Sequence, residues 1–320
     1  MSPGALSLED IIRASSRALV IGVGGGGDVV GALACARFLE FCGLQYILGG
    51  LSWERWVYDP IPGPRRLSEV ENLRPLHEYA WMVNAATCTN TGVYFAESKM
   101  AALQKTEVLL VDINGGTRGV VAALEAALKH CNTDLLVGVD VGGDSLAEGH
   151  ELGLRSPLAD SIMLAAFAEL DRRGQRTLWG MFGYGSDGEL NVAEIELALA
   201  KLAAAGGLLG CWSLTPKVAK ELEDVIKIVP TEASAIPVRS FRGEWGETNI
   251  RSDQRKVKLT PLTALTFFIA TTKLLDTLAR PARAVLASSS LDEANDALHA
   301  IGIRTELDLE RELSKATRTA

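Results

Sequence analysis

CxxC pairs, long basic tracts and membrane-length apolar runs are all missing from this 320-residue sequence, and each absence removes a class of protein. The five cysteines (Cys35, Cys42, Cys88, Cys131, Cys211) are scattered and odd in number. They argue against a disulfide framework or a zinc knuckle, and a reducing cytoplasmic setting is expected. Cys88 lies in the polar stretch Ala86-Thr87-Cys88-Thr89-Asn90 with no histidine motif nearby to activate it as a nucleophile. The N-terminus lacks the basic segment, apolar run and cleavage site of a secretory signal, and no apolar stretch reaches membrane-spanning length. Net charge is −8 and the pI is near 5.2, so neither nucleic acid nor an anionic membrane is an expected partner. The densest basic spots are Arg65-Arg66, Arg172-Arg173 and residues 251–258. They read as solvated faces or loops, with an anion contact at the last of them as the sharper alternative.

What is present is an ordinary globular composition, 48% hydrophobic and 22% charged, which excludes disorder as the main reading. No composition break divides the chain, so a single α/β domain over residues 1–320 is expected. Short buried strands alternate with helical patterns. Strands are predicted at 17–23, 45–48, 107–112, 134–140, 177–182 and 208–212, and helices at 29–42, 119–130, 157–171 and 192–205. A long amphipathic helix is predicted over 261–278 and a shorter one over 291–300. Ser156, Asn191 and Thr215 stand where helix N-caps belong, two of them ahead of a proline. The fold expected is a mostly parallel, doubly wound (Rossmann-like) sheet of about six strands flanked by helices. Residues 52–105 break the rhythm with Trp53, Trp56, Tyr58, Tyr79, Trp81 and Tyr94 among several prolines. That segment is either an inserted lid or an extended connection that packs its aromatics on the core.

Four glycine-rich turns, each with a carboxylate, recur where a strand is predicted to end. They are Val23-Gly24-Gly25-Gly26-Gly27-Asp28, Asp112-Ile113-Asn114-Gly115-Gly116, Asp140-Val141-Gly142-Gly143-Asp144 and Tyr184-Gly185-Ser186-Asp187-Gly188-Glu189. In a parallel sheet the carboxyl ends of the strands share one edge, and ligands bind in the crevice there. Asp28, Asp112, Asp140 and Asp187 are therefore expected along a single edge. The run Gly22-Val23-Gly24-Gly25-Gly26-Gly27 also satisfies GxGxxG between a strand and a helix, a setting whose exposed amides favour phosphate. Two departures weaken a standard dinucleotide reading. Asp28 brings negative charge where a pyrophosphate should approach, and the second strand ends in Gly49-Gly50 rather than in a ribose-gripping acid. The plainer alternative has Asp28 capping the helix while the glycines make a tight turn.

From Asp140 to Glu151 there are four carboxylates in twelve residues (Asp140, Asp144, Glu148, Glu151), with His150 among them. Like charges this close call for a cation, a positive substrate group or proton uptake, unless the loop is simply solvated. Oxygen ligands without a cysteine cluster point to magnesium or a similar hard ion. Asp28, Asp140 and Asp144 are the metal candidates, and Asp140, Asp144 and His150 the catalytic ones. Gly24, Gly25, Gly26 and Gly27, together with Asn114, Gly115, Arg118, Arg155 and Asp187, are candidates for holding phosphate or substrate. Asp160, one turn into the next helix, is placed to face the same pocket. Asp187 has the competing reading of a turn residue ahead of the Asn191 cap. Weaker polar candidates are Asn84, Thr87, Thr89, Asn90, Glu97, Ser98 and Lys99.

These turns, in this order, resemble an uncharacterised and largely archaeal family, domain of unknown function 1152. The likeness is carried by Gly24-Gly25-Gly26-Gly27-Asp28-Val29-Val30-Gly31, by Asp140-Val141-Gly142-Gly143-Asp144 leading to Ser156-Pro157-Leu158-Ala159-Asp160, and by Asp187-Gly188-Glu189-Leu190. It implies one recurring unit over most of the chain and no particular activity. The residues favour an enzyme acting on a phosphorylated metabolite or nucleotide by metal-assisted hydrolysis or phosphoryl transfer. The alternatives are a nucleotide- or metabolite-binding regulator without turnover and an NAD-dependent oxidoreductase. A homo-oligomer is compatible with any of these.

Overall fold

The computed structural model describes residues 7–319. In chain order it begins with α1 (Leu8–Arg13), β1 (Arg17–Gly22), α2 (Asp28–Phe41), β2 (Gln45–Leu51), β3 (Val70–His77), β4 (Ala80–Thr89), α3 (Ala96–Gln104) and β5 (Val108–Val111). Then come α4 (Gly116–Cys131), β6 (Leu135–Val141), α5 (Pro157–Arg172), β7 (Arg176–Phe182), α6 (Val192–Ala204), β8 (Leu208–Ser213), α7 (Pro216–Ile226) and α8 (Glu232–Phe241). The chain continues through β9 (Gly246–Ile250), β10 (Arg255–Leu259), β11 (Leu265–Ile269), α9 (Thr271–Thr277), α10 (Arg280–Ala284), α11 (Leu291–Ala300) and α12 (Glu306–Thr319).

Nine strands form one mixed sheet in the order β3-β4-β5-β2-β1-β6-β7-β11-β8. Its centre, β5-β2-β1-β6-β7, is parallel throughout. From β1 the chain builds outward through β2 to β5, then returns to the other side of β1 for β6 and β7. The winding therefore reverses between β1 and β6. The period-two alternation of β1 divides its side chains between two cores. Leu19 and Ile21 pack with α4, α5, α6, α9, α10 and α11, whereas Ala18 and Val20 pack with α1, α2, α3, α7 and α8. Both faces of the sheet are thus covered by helices, which explains why its central strands read as continuous apolar runs. No helix among the described residues is long and apolar enough to cross a membrane.

Three expectations need correction or refinement. The sheet is larger and more mixed than about six parallel strands, because β4 and β11 run antiparallel to β5 and β7. Residues 261–278 are not one helix. Thr260 caps a single 3-10 turn, Pro261–Ala264, after which Leu265–Ile269 becomes β11, hydrogen-bonded between β7 and β8. The branched and aromatic run Leu-Thr-Phe-Phe-Ile suits a pleated, buried strand better than a helix, and helix resumes only at Thr271. Within residues 52–105, β3 and β4 extend the main sheet beyond β5 and α3 joins the helices on the α2 face. The irregular stretch ahead of β3 lies beside the first glycine turn, where the Trp53 carbonyl accepts from the Gly26 amide at 2.8 Å.

Candidate functional site

Asp28, Asp112, Asp140 and Asp187 all stand at the carboxyl edge of the parallel strands, at or just after the ends of β1, β5, β6 and β7. Three of them gather beside the point where the winding reverses. Asp112 stays apart: its Oδ1 accepts from the backbone amide and side-chain amide of Asn114, each at 2.7 Å.

The cluster is built around β6 and the turns beside it. Asp140 ends β6 and accepts from the Gly143 and Ser145 amides at 3.1 Å each and from the Ser145 hydroxyl, which folds the following turn back toward it. That turn places Asp144 against Asp140. From α5, Asp160 projects into the same space, and the β7 turn delivers Asp187 and Glu189. Carboxylate oxygens of Asp140, Asp144 and Asp160 lie within 4.8 Å of one another, and so do those of Asp144, Asp187 and Glu189. Asp144 belongs to both groups.

Gly142 makes room for the arrangement. Its φ is +133°, and a Cβ there would fall 2.2 Å from Cγ of Asp187, so the carboxyl occupies the place of a missing side chain. The β7 turn itself holds three successive positive φ values at Gly183, Tyr184 and Gly185, with Tyr184 at +33°. A non-glycine residue in that region signals local strain, here at the turn that positions the acids.

These carboxyls are buried, and burial dominates their chemistry. It pushes Asp144, Asp160 and Asp187 well above the usual carboxylate range, with neighbouring carboxylates adding to the rise. Asp140 is raised as well, although the Ser145 and Gly143 hydrogen bonds hold it down. Asp28, at the edge of the group, is raised to about 7 by burial and by Asp140, while Arg55 pulls it back. Glu189 is held differently: its Oε2 accepts from the amides of Arg155 (2.6 Å) and Ser156 (2.9 Å), and its Oε1 pairs with Arg255 at 2.8 Å. Both oxygens of Asp187 and Oδ1 of Asp160 have no hydrogen-bond partner among the described residues. Asp187 is 5% exposed and Asp160 3% exposed, so bulk water does not supply the missing partners.

Three arginines stand over the cluster from outside the parallel strands. Arg255, on β10, donates to the carbonyl of Asp187 as well as to Glu189. Arg251 sits in the β9–β10 turn, where Arg251, Ser252 and Asp253 all have positive φ. Arg55 follows Trp53 and packs on the first glycine turn, its Cγ 3.2 Å from where a Gly26 side chain would begin. Burial, Arg55 and Arg255 together lower Arg251 to about 10, so the three guanidinium groups are close enough to repel.

A model of the family described as "Protein of unknown function (DUF1152)" matches residues 19–314. The chain belongs to that family. No curated protein matches it.

The remaining sequence candidates of this DUF1152 chain fall in several places. In the first glycine turn the Gly24 amide is taken by Asp28 Oδ2 at 3.0 Å and the Gly26 amide by Trp53. Asp28 therefore bonds back into the turn instead of capping α2, and the amides of Gly25 and Gly27 have no partner among the described residues. His150 is exposed, and the structure brings it to no cluster carboxylate; its amide binds Glu151 Oε2. Glu151 also takes the amides of Glu148 and Gly149, while Glu148 pairs with Lys201, so half of the acidic loop serves its own folding. Arg118 is exposed on α4, near Glu293 of α11. Arg155 is exposed and turns its guanidinium to the carbonyls of Leu152 and Leu154. Asn114 donates to the Pro64 carbonyl, and Gly115 packs under the Tyr79 ring. Neither reaches the acidic cluster.

Ser156 holds the N-cap position of α5 without capping it, since its hydroxyl goes to Glu189 and, at 3.4 Å, to Asp144. The α5 amides of Leu158 and Ala159 are taken instead by Glu306 of α12, at 3.0 and 2.9 Å. Glu189, Arg55, Arg251 and Arg255 were not singled out from sequence as site residues. The fourth glycine-rich turn carried a signal for Glu189, and the dense basic run at 251–258 carried one for Arg251 and Arg255.

A cavity of about 770 Å³ opens at the opposite edge of the sheet, lined by Arg17, Tyr46, Arg74 and His130 among others. Beside the acidic cluster, Asp144, Ser145 and Asp160 help to line a cavity of only about 10 Å³, the room of a single water-sized body.

Proposed function

We propose that the chain is an enzyme that binds a phosphorylated metabolite or nucleotide at the carboxyl edge of a Rossmann-like, doubly wound sheet. It acts there by hydrolysis or phosphoryl transfer assisted by a hard divalent cation such as magnesium. One observation carries the reading. Asp187 and Asp160 are buried with unsatisfied carboxylate oxygens, inside a group of carboxylates whose ligand atoms lie within 4.8 Å of a shared Asp144. An unpaired buried charge costs several kcal/mol, and a cation with oxygen-ligand chemistry removes that cost.

In this scheme Asp140, Asp144, Asp160 and Asp187 would hold the cation, which when bound would supply Lewis-acid chemistry and an activated water. Arg55, Arg251 and Arg255 take the negative oxygens of the phosphate, in place of Arg118 and Arg155, which point elsewhere. The free amides of Gly25 and Gly27 add two donors on the side of β1. Asp28 lies between arginines and metal ligands, and burial and Asp140 raise its pKa to about 7. That places it to exchange a proton with the reacting water or leaving group. A dinucleotide reading is weaker, because the Gly24 amide that would meet a pyrophosphate is held by Asp28.

The test is release of inorganic phosphate from a panel of sugar phosphates, nucleotides and diphosphates, with magnesium, with manganese and with chelator. Metal-dependent release from at least one class, abolished by Asp144→Asn, is the expected result. If no ester is turned over and no phosphate compound binds with or without metal, the reading is wrong.

A further inference from the structure

The acidic cluster is larger than one cation needs. It divides into two groups, Asp140-Asp144-Asp160 and Asp144-Asp187-Glu189, each with its ligand atoms within 4.8 Å and with only Asp144 in common. An unsatisfied oxygen lies in each group: Oδ1 of Asp160 in one, both oxygens of Asp187 in the other. These two residues come from different elements, α5 and the turn after β7.

We infer that the cluster holds two divalent cations bridged by the Asp144 carboxylate, one on Asp140 and Asp160, the other on Asp187 beside Glu189. Charge supports the count. Within the two groups Arg255 pairs with Glu189, which leaves Asp140, Asp144, Asp160 and Asp187 as four buried carboxylates with no ion pair of their own among the described residues. With all four ionised, one divalent ion would balance only half of that charge. Glu189, whose oxygens are already held by Arg155, Ser156 and Arg255, fixes the geometry of the second position. Asp187 supplies its free oxygens.

A carboxylate-bridged pair of ions is the arrangement that clamps both the attacking and the leaving oxygen of an in-line displacement at phosphorus. The substrate class that follows is a phosphate ester or diphosphate, whose negative oxygens would meet Arg55, Arg251 and Arg255. This inference rests on the metal-assisted reading above and goes beyond it in the number and bridging of the ions.

The experiment is titration of the chelator-stripped full chain with Mn²⁺, with bound ions counted by equilibrium dialysis and their spin coupling read by electron paramagnetic resonance. Two ions per chain with an exchange-coupled signal are expected. Asp187→Asn and Asp160→Asn should each reduce the count to one uncoupled ion, and a preserved near-ultraviolet circular dichroism spectrum shows that each variant is folded. One uncoupled ion in the parent chain overturns the bridged pair and leaves the single-cation reading standing. No bound ion overturns both. Two coupled ions that persist in Asp187→Asn overturn the assignment of the second position.

Discussion

Asp187 shows most clearly what a single side chain reports about this protein. Its carboxyl is buried, has no hydrogen-bond donor among the described residues and lies in the space that Gly142 leaves open. A purely structural aspartate in such a place would be replaced at a gain, since Asn removes a buried like charge without changing shape. In chelator we therefore expect Asp187→Asn to match or exceed the parent in melting temperature at pH 8. With saturating magnesium the order should invert, the parent gaining stability that the variant lacks. The same order of stability in both conditions would identify Asp187 as a turn residue.

Asp112 offers a residue-scale contrast away from the cluster. Burial lifts it from 3.8 to about 6, against the two Asn114 hydrogen bonds that pull it down. A carboxyl raised in the fold holds its proton more tightly there than in the unfolded chain. Its contribution is fully present below about pH 4 and is lost as pH rises through about 6. Relative to Asp112→Asn, the parent should lose roughly 2 kcal/mol of stability between pH 4 and pH 7, read from urea unfolding at each pH. Parallel pH profiles for the two proteins would contradict this.

At the scale of elements, the site depends on turns whose backbone leaves no tolerance. Gly142→Ala would drive a methyl into the Asp187 carboxyl from a φ of +133°. It should cost roughly 1–3 kcal/mol and remove the stabilisation by magnesium as well. A variant that keeps the full magnesium response would show that Asp187 is not held in place by this gap. The β9–β10 hairpin is the second such element. Arg251→Ala removes a guanidinium that anchors no cluster carboxylate, so affinity for a phosphate ester should fall about tenfold with the metal response intact. Titration calorimetry with a non-hydrolysed phosphate ligand reads both quantities, and unchanged phosphate affinity would remove Arg251 from the site.

Elements also show what the sequence could and could not convey. Asn191 and Thr215 are caps in the structure as in the sequence, because capping boxes and Thr-Pro starts are local signals. Ser156 looked the same and is not a cap, because Glu306, 150 residues further on, reaches the α5 amides first and Glu189 takes the serine. Likewise, Asp140 and Asp144 were legible as members of a site because they share one turn with glycines. Glu189 and the three arginines meet that turn only through the winding of the sheet. Arg118 and Arg155 are near the acids in sequence yet point away, since local spacing does not determine the direction of a long side chain.

Across the whole molecule, nine strands and two helical layers bring one patch of negative charge to the centre of the sheet edge and screen it from solvent. The parallel centre was readable from alternating buried strands and helices, which is also why the edge carrying the acids was readable. The antiparallel additions β3, β4 and β11 were not, because a strand's direction depends on its partners rather than on its own residues. Enclosure of so many carboxylates is tolerable only if a cation, protons or both accompany them. The decisive measurement is the melting temperature of the chelator-stripped chain at pH 7.5 as magnesium is added, for the parent and for Asp144→Asn. At a hundredfold excess over the dissociation constant, linkage amounts to about 2.7 kcal/mol, a rise on the order of 5 °C in the parent. Asp144→Asn should show little or none of it. An unchanged parent, or an equal rise in both proteins, would contradict a cation at the Asp144 cluster.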